Sequence, residues 1–202
     1  MFSIFKYFRK STIPLNNKKF LIVGLGNIGD EYENTRHNIG FDIVEQLGIS
    51  LKGTFNSAKY GDVLKSKYAG KQIILLKPNT FMNLSGKAVV YWLKKEKIQI
   101  NNLIVIVDDL NINFGISRLK ASGSDGGHNG LKDIANSLNT SKFTRLRFGI
   151  GNNFKNKDQV DFVLSKWNND ESNNLGQLID KNVEIIFSTI KQGIEFTMNK
   201  YN

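Results

Sequence analysis

The sequence predicts one α/β domain, with a twisted and mixed but mainly parallel sheet flanked by helices. Two observations predict it: short apolar runs alternate with segments of helical periodicity, and 202 residues with 40% hydrophobic content suit a single core. No internal repeat or low-complexity linker interrupts the pattern. We place the domain over residues 19–202 and predict that residues 1–18 form a basic N-terminal extension.

Buried strands are predicted from three fully apolar runs. The first is closed by glycines, the second runs into a proline, and the third is followed at once by two acids; they are residues 20–25, 73–76 and 103–107. Alternating apolar and polar residues predict two further strands, from Ile116 onward and over residues 145–150.

Helices are predicted where apolar residues recur at spacings of three and four. They cover residues 41–47, 86–96 and 131–138, and Ser85 is predicted to be the N-cap of the second. A long C-terminal helix is predicted from seven apolar residues on one face: Leu175, Leu178, Ile179, Val183, Ile186, Ile190 and Ile194. Reactive groups are then expected at the carboxyl ends of the strands.

The composition indicates a basic protein that binds polyanions. A formal charge of +10 and a pI near 9.7 suit nucleic acid or an anionic membrane. The lack of cysteine excludes disulfides, thiolate zinc sites and cysteine nucleophiles, and it fits a cytoplasmic protein. No run of 18 apolar residues predicts a membrane-spanning helix. Residues 1–18 also match a targeting presequence or an interfacial helix, but we interpret them as an extension on or near the domain.

The segment Gly24-Leu-Gly26-Asn-Ile-Gly29 matches the dinucleotide-binding fingerprint after an apolar strand. That fingerprint needs a helix at the third glycine and an acid that closes a second strand about 20 residues later. A polar loop follows Gly29 instead, and Asp42 and Glu45 are predicted on the exposed face of a helix. The motif is therefore weak evidence for a nicotinamide enzyme.

His37 and His128 are the only histidines, so there are two candidates for a general base near neutral pH. A histidine base needs a carboxylate that fixes its tautomer, and Asp108 and Asp109 stand at the end of an apolar strand. The alternatives are a histidine in a surface loop and an acid that caps a turn.

Four asparagines lie beside glycines: Asn27, Asn38, Asn83 and Asn129. Clustered amides are able to grip a peptide backbone and to donate to an oxyanion, although each asparagine also suits a turn. Ser85 lacks the strand-elbow context of a serine nucleophile, so water is the better candidate. Two histidines without cysteine give little support to a catalytic metal site.

Arg118 and Lys120 share a strand face through their period of two, as do Arg145 and Arg147. These pairs flank the glycine-rich residues 123–130, an arrangement that favours a phosphate-tracking surface. A solvated basic face is the alternative.

Five stretches together resemble the bacterial-type peptidyl-tRNA hydrolase family. They are LIVGLGNIGDEYENTRHNIGFDIV at 21–44, LKPNTFMNLSGKAV at 76–89, IVIVDDL at 104–110, GSDGGHNGLKDI at 123–134 and RLRFGIG at 145–151. They occur in the family's order, so the resemblance is far more specific than any single motif. It implies an enzyme that hydrolyses the ester between tRNA and a peptide or N-blocked aminoacyl group, in peptidyl-tRNAs released from ribosomes.

The resemblance also implies roles for individual residues. His37 would be the general base that activates water, Asp108 would orient it, and His128 would be secondary. The implied substrate-binding residues are Asn27, Tyr32, Phe81, Asn83 and Asn129, and the implied tRNA-binding residues are Arg118, Lys120 and Arg147. The family's reaction requires no cofactor and no metal.

Two departures from the family's pattern affect these expectations. Ile28 stands where the family usually has proline, which predicts a looser turn at Asn27, and the shortest members lack a counterpart to residues 1–18. The rival function is a non-catalytic RNA-binding protein of the same fold. The resemblance favours a monomer whose partner is the acceptor end of peptidyl-tRNA with its attached peptide, without membrane association.

Overall fold

The computed structural model describes residues 18–152 and 158–202. The predicted N-terminal extension lies outside the described residues except for Lys18. Within the described part, no helix combines the length and the apolarity that crossing a bilayer requires.

The described strands form one seven-stranded sheet. They are β1 (Lys19–Gly24), β2 (Asn56–Ala58), β3 (Gly61–Tyr68), β4 (Lys71–Pro78), β5 (Leu103–Asp109), β6 (Ser117–Lys120) and β7 (Thr144–Gly149). Their order is β2-β3-β4-β1-β5-β7-β6. The central strands β4, β1, β5 and β7 run parallel, while β2, β3 and β6 pair antiparallel at the two edges. The predicted mixed α/β sheet is confirmed, with its parallel part at the centre.

Helices cover both faces of the sheet. They are α1 (Ile39–Ser50), α2 (Ser85–Glu96), α3 (Asn129–Leu138), α4 (Gln159–Val163), α5 (Asn169–Gln192) and α6 (Ile194–Tyr201). Successive residues of β1 alternate between two cores: Ile22 packs in the core of α1 and α5, and Leu21 and Val23 pack in that of α2 and α3. Burial on both faces explains why the central strands read as uninterrupted apolar runs.

The predicted N-cap at Ser85 is wrong, because Ser85 is already the first residue of α2 and Leu84 precedes it. The Ser85 hydroxyl donates to the Met82 carbonyl at 2.8 Å and makes no capping hydrogen bond. A short 3-10 turn over Met82–Leu84 runs directly into the helix, so the serine stands too late in the chain to cap it.

The predicted long C-terminal helix is interrupted at Gly193, whose φ of 95° ends α5. Ile194 therefore belongs to α6, which lies beside β6. There the side-chain amide of Asn202 forms hydrogen bonds with both backbone groups of Leu119 in the edge strand β6. Its Oδ1 accepts from the Leu119 N–H at 2.7 Å, and its Nδ2 donates to the Leu119 carbonyl at 2.8 Å.

Helix α1 starts in direct backbone contact with the sheet, because Gly40 has no side chain. A Cβ added to Gly40 would lie 2.5 Å from the Leu25 nitrogen and 2.7 Å from the Ile106 carbonyl oxygen, closer than real Cβ contacts allow. The close approach matters because residues 36–38 lead into this helix and carry His37.

We expect Gly40→Ala to lower the free energy of unfolding by about 3 kcal/mol, since the methyl group has only backbone around it and forces α1 away from the sheet. The matched control is Gly176→Ala in α5, where an added Cβ meets nothing within 4 Å. That change should raise stability by about 0.5–1 kcal/mol, because alanine is the better helix former. Urea unfolding of both variants is the measurement; equal effects would contradict the close-packing account.

Candidate active site

A cleft of about 540 Å³ opens where β1, β4 and β5 end and α3 begins. Six predicted site residues line it: Asn27, His37, Phe81, Asn83, Asp108 and Asn129. An apolar part of the lining comes from α4 and the residue after it, and includes Val160 and Leu164. Tyr32 and the basic residues Arg118, Lys120 and Arg147 were also predicted site residues, and they lie outside this lining.

His37 and Asp108 form a hydrogen-bonded pair in the cleft. His37 lies in the 3-10 turn that leads into α1, and Asp108 is buried near the end of β5. The His37 Nδ1 and the Asp108 Oδ1 are 2.9 Å apart. An ionised carboxylate only accepts hydrogen bonds, so Nδ1 carries the proton and Nε2 of the neutral ring keeps a free lone pair.

His128 is a second partner of the same carboxylate oxygen. Its Nε2 lies 3.1 Å from Asp108 Oδ1, while its Nδ1 accepts from the backbone N–H of Gly130 at 3.1 Å and of Leu131 at 3.3 Å. Because Nδ1 accepts, the proton sits on Nε2 and is donated to Asp108. His128 is thus both the N-cap of α3 and a hydrogen-bond donor to Asp108. This capping role was not predicted from the sequence, because histidine is not among the favoured N-cap residues.

The electrostatics of this triad follow from burial and charge. Burial by itself would raise the pKa of the Asp108 carboxyl, but the two imidazoles beside it hold that pKa well below its usual range. Burial lowers the pKa of the His37 imidazole, and the attraction and hydrogen bond of Asp108 overcome this and leave the His37 pKa raised above its ordinary value of 6.5. Asp108 is therefore ionised at neutral pH, and His37 is a stronger base than a free histidine.

Asp109 does not compete for His37. It is the next residue of β5 and so points to the other face of the sheet, where its carboxylate pairs with Arg147 and accepts the Asn111 N–H at 2.8 Å. The choice between Asp108 and Asp109, which the sequence leaves open, is resolved by strand alternation.

Asn38 aims Asn27. The Asn38 side chain accepts from the Asn27 N–H at 2.8 Å and donates to the Asn27 carbonyl at 2.9 Å, so both backbone groups of Asn27 are held. Asn38 is buried, although the resemblance gave it no role. These two hydrogen bonds oppose the looser turn that Ile28 was expected to cause, because they hold the backbone of Asn27, the residue before Ile28.

Arg145 is not part of a phosphate-tracking surface, contrary to the pairing predicted for it with Arg147. It is 2% exposed and donates to the backbone carbonyls of Gly123, Ser124 and Ser141, each at 2.8 Å. Its guanidinium ties down the glycine-rich loop that forms one rim of the cleft. Arg118 and Arg147 do lie opposite each other on β6 and β7, on one face of the sheet.

Asp42 is also less exposed than predicted. It is half-buried in a second hollow, which shares Asn27 with the cleft and is rimmed by Glu45 and Lys77. Burial, reinforced by Glu45 and opposed by Lys77, raises the pKa of Asp42 to about 7. The prediction of an exposed helix face is confirmed for Glu45, which is exposed, and holds only in part for Asp42, which lines its hollow together with residues 27–30 of the loop after β1.

A buried arginine, Arg36, connects the 3-10 turn that carries His37 to the residues just after α4, a helix that lines the cleft. Arg36 donates to the Ser165 hydroxyl and the Lys166 carbonyl, each at 2.7 Å, and pairs with Glu171 at 2.5 Å. The Glu171 carboxylate also closes the capping box of α5 by accepting the Asn168 N–H at 2.9 Å. The same residues thus fix the start of α5, the end of the α4 segment and the residue before His37.

His37, Asp108 and His128 are the only group in residues 18–152 and 158–202 with three potential metal-ligand atoms close together, all within 4.8 Å. The His37 Nδ1 and the His128 Nε2 are already hydrogen-bonded to Asp108, and the remaining His128 nitrogen caps α3. A metal ion that took these two hydrogen-bonded nitrogens as ligands would have to replace both shared protons. The dinucleotide motif leads into a 3-10 turn, Asp30–Tyr32, and not into the helix that its fingerprint requires.

Comparison with known proteins gives a consistent picture. A family model described as peptidyl-tRNA hydrolase matches residues 21–202. Over 184 residues the chain is 52% identical to the peptidyl-tRNA hydrolase of Parabacteroides distasonis, covering 91% of this chain and 98% of that protein. It is 50% identical to the Porphyromonas gingivalis enzyme over 91% and 100% of the two chains. The Acinetobacter baumannii enzyme's crystal structure matches with a TM-score of 0.85 at 36% identity, covering 92% of this chain and 95% of that one.

Removing the partner of Arg36 should destabilise the protein. We expect Glu171→Ala to lower the free energy of unfolding by about 3 kcal/mol, because a buried guanidinium loses its counter-ion and α5 loses its capping box. Glu184→Ala on the same helix is the control, since Glu184 is exposed and its loss should cost under about 0.5 kcal/mol. Urea unfolding measures both, and equal values would mean that the ion pair adds nothing to stability.

Proposed function

This chain belongs to the peptidyl-tRNA hydrolase family, and we propose that it hydrolyses the peptidyl-tRNA ester with a water molecule activated by His37. The observation that carries the proposal is the shared Asp108 oxygen, which accepts from both histidines and leaves a free lone pair on the His37 Nε2. A base with this tautomer, in a cleft with three exposed or half-exposed asparagines, suits attack on a carbonyl carbon.

In the proposed reaction, the His37 Nε2 takes a proton from water as the oxygen attacks the ester carbonyl. Asp108 stabilises the imidazolium that forms, which its ionised state at neutral pH allows. The tetrahedral intermediate then collapses, the bond from the carbonyl carbon to the ribose oxygen breaks, and the imidazolium returns its proton to that oxygen. The proton balance closes within the protein's own residues and one water.

The asparagines supply the amide groups for this chemistry. Asn27, Asn83 and Asn129 reach the cleft from three different segments: the loop after β1, the turn before α2 and the start of α3. Because they approach from three sides, we assign them to the peptide backbone and the developing oxyanion. Phe81 is 74% exposed and lines the cleft together with apolar residues of the α4 segment, which suits apolar side chains of the peptide.

Arg118, Lys120 and Arg147 are proposed to hold the tRNA. They share one face at the β6–β7 edge, and Arg147 lies close to Gly126 of the loop that rims the cleft. Lys120 is exposed and Arg118 half-exposed, so phosphates can reach both. We also retain Tyr32 as a substrate contact by resemblance, although it is absent from the cleft lining.

We further propose that the enzyme is a cytoplasmic monomer. The substrate is a product of translation, and the chain has no cysteine, both of which support the cytoplasm. The cleft is assembled from one chain, so the proposed chemistry needs no second copy.

The deciding experiment is hydrolysis of a purified N-blocked aminoacyl-tRNA by wild type and His37→Ala, in buffer containing a chelator. We expect kcat/KM of the variant to fall about 10²–10⁴-fold, the usual contribution of a general base. Wild-type protein that binds the tRNA and leaves the ester intact would instead identify a non-catalytic RNA-binding protein.

The pH profile tests the His37–Asp108 pair. Because His37 must be unprotonated to accept a proton, kcat/KM should rise with pH through a midpoint above 6.5. Asp108→Asn removes the charge that raises this pKa and leaves the burial that lowers it, so the midpoint should move to lower pH while the plateau rate falls. An unchanged midpoint would mean that another group is titrating.

Salt dependence tests the proposed tRNA-binding face. The Arg118→Gln/Lys120→Gln variant should bind tRNA more weakly, and the slope of log Kd against log salt should be less steep by about 1.5, because two phosphate contacts are lost. Arg147 is left intact, since its removal would leave the buried Asp109 carboxylate without its ion-pair partner. A slope equal to that of wild type would exclude this face.

A further inference from the structure

A second basic surface lies on the side of the molecule formed by α2. It combines three exposed lysines with two half-buried tyrosines, Lys59, Tyr60, Lys87, Tyr91 and Lys95, which we call the lysine–tyrosine strip. Neither the resemblance nor the chemistry of the cleft accounts for it.

The strip is an ordered arrangement. The Lys59 Nζ lies 5.3 Å from the centres of both tyrosine rings, and the Lys87 Nζ lies 5.1 Å from that of Tyr60. The tyrosines meet edge to face with ring centres 5.3 Å apart. The Lys59 carbonyl accepts the indole N–H of buried Trp92, which fastens the turn before β3 onto α2. Cation–π contacts of this kind hold lysines over a surface while leaving their charge available.

The charges of the strip are not neutralised by neighbouring acids. Within residues 18–152 and 158–202, no ion pair involves Lys59, Lys87 or Lys95. Glu96, the acid at the end of α2, is already paired with Lys19 and Lys65. Three free cations beside aromatic rings form the combination that nucleic-acid-binding surfaces use.

The two faces of the sheet differ in charge. Helices α1 and α5 together contain six acids and two lysines, whereas α2 and α3 contain four lysines and two acids. Arg118 and Arg147 lie on the same side of the sheet as α2 and α3, because their strand neighbours Leu119 and Leu146 pack in the opposite core. The proposed tRNA contacts and the strip therefore share one basic side.

The strip also begins at the cleft. Lys87 is in the first turn of α2, four residues after Asn83, and the Tyr60 carbonyl accepts the Asn79 N–H just beyond β4. From β3 to β6 there are five strand spacings, roughly 24 Å. The cleft thus opens between two basic surfaces, and exposed Lys132 on α3 lies between them in the helical layer.

We propose that the lysine–tyrosine strip is a second contact for the phosphate backbone of the tRNA, on the side of the cleft opposite Arg118 and Lys120. The proposal rests on the proposed function only for the identity of the RNA. A stem lying across α2 and α3 presents phosphates to both surfaces at once, whereas the ester itself needs only the cleft. Binding energy from the strip would then position the stem without touching the reacting atoms.

The test compares two triple variants that remove the same charge. One is Lys59→Gln/Lys87→Gln/Lys95→Gln; the control is Lys52→Gln/Lys181→Gln/Lys191→Gln, whose exposed lysines belong to the α1 and α5 side. The strip variant should bind uncharged tRNA about tenfold more weakly or worse near 0.1 M salt, and its log Kd against log salt slope should be less steep by about 2 than the control's. Unchanged unfolding midpoints check that both variants fold.

A short substrate separates the strip from the cleft. An N-blocked aminoacyl ester of the terminal adenosine has no stem, so the strip variant should hydrolyse it as fast as wild type. Equal tRNA affinity and slope in the two triple variants would overturn the proposal and leave the strip a solvated face. Loss of activity on the short ester would also overturn it, because the strip would then act on the peptide or the cleft. Wild type that cleaves neither substrate would refute the hydrolytic function, and the binding comparison would still decide the strip.

Discussion

The structure depends on a single buried carboxylate oxygen that accepts two hydrogen bonds. Asp108 Oδ1 takes one from His37 and one from His128, and so joins the end of β5, the turn before α1 and the start of α3 at one point. An ionised group at 5% exposure is costly to bury unless its lone pairs are satisfied. Each histidine therefore stabilises the carboxylate, and the carboxylate in return selects the tautomer of each histidine.

The parts that surround this oxygen keep it rigid from several directions. Gly40 lets α1 approach the sheet until backbone meets backbone, and Arg36 ties the same turn to the start of α5 through Glu171. Asn38 fixes Asn27 by both of its backbone groups. Rigid placement of this kind gives reactive groups a fixed geometry before substrate arrives, which lowers the reorganisation that the reaction requires.

Sequence reasoning was most successful where local pattern and burial agree. The apolar runs of the central strands gave the α/β sheet, and the acid at the end of β5 gave the partner of His37. It failed where a distant contact decides a residue's role. Arg145 looked like a surface cation because a period of two cannot reveal that three backbone carbonyls accept hydrogen bonds from it. The capping role of His128 was not predicted because it depends on the turn that starts α3. The break at Gly193 was hidden because Ile194 continues the apolar spacing.

The Asn202 amide has a consequence for how the molecule behaves among many copies of itself. An unpaired edge strand offers free N–H and carbonyl groups. A strand from another molecule can pair with them, and this is the first step of edge-to-edge aggregation. Asn202 occupies both groups of Leu119 at the centre of the four-residue edge strand β6, and the other edge strand, β2, has only three residues. One edge is short and the central residue of the other is already paired, so an incoming strand finds few free groups, which disfavours aggregation while the cleft stays open to a large substrate.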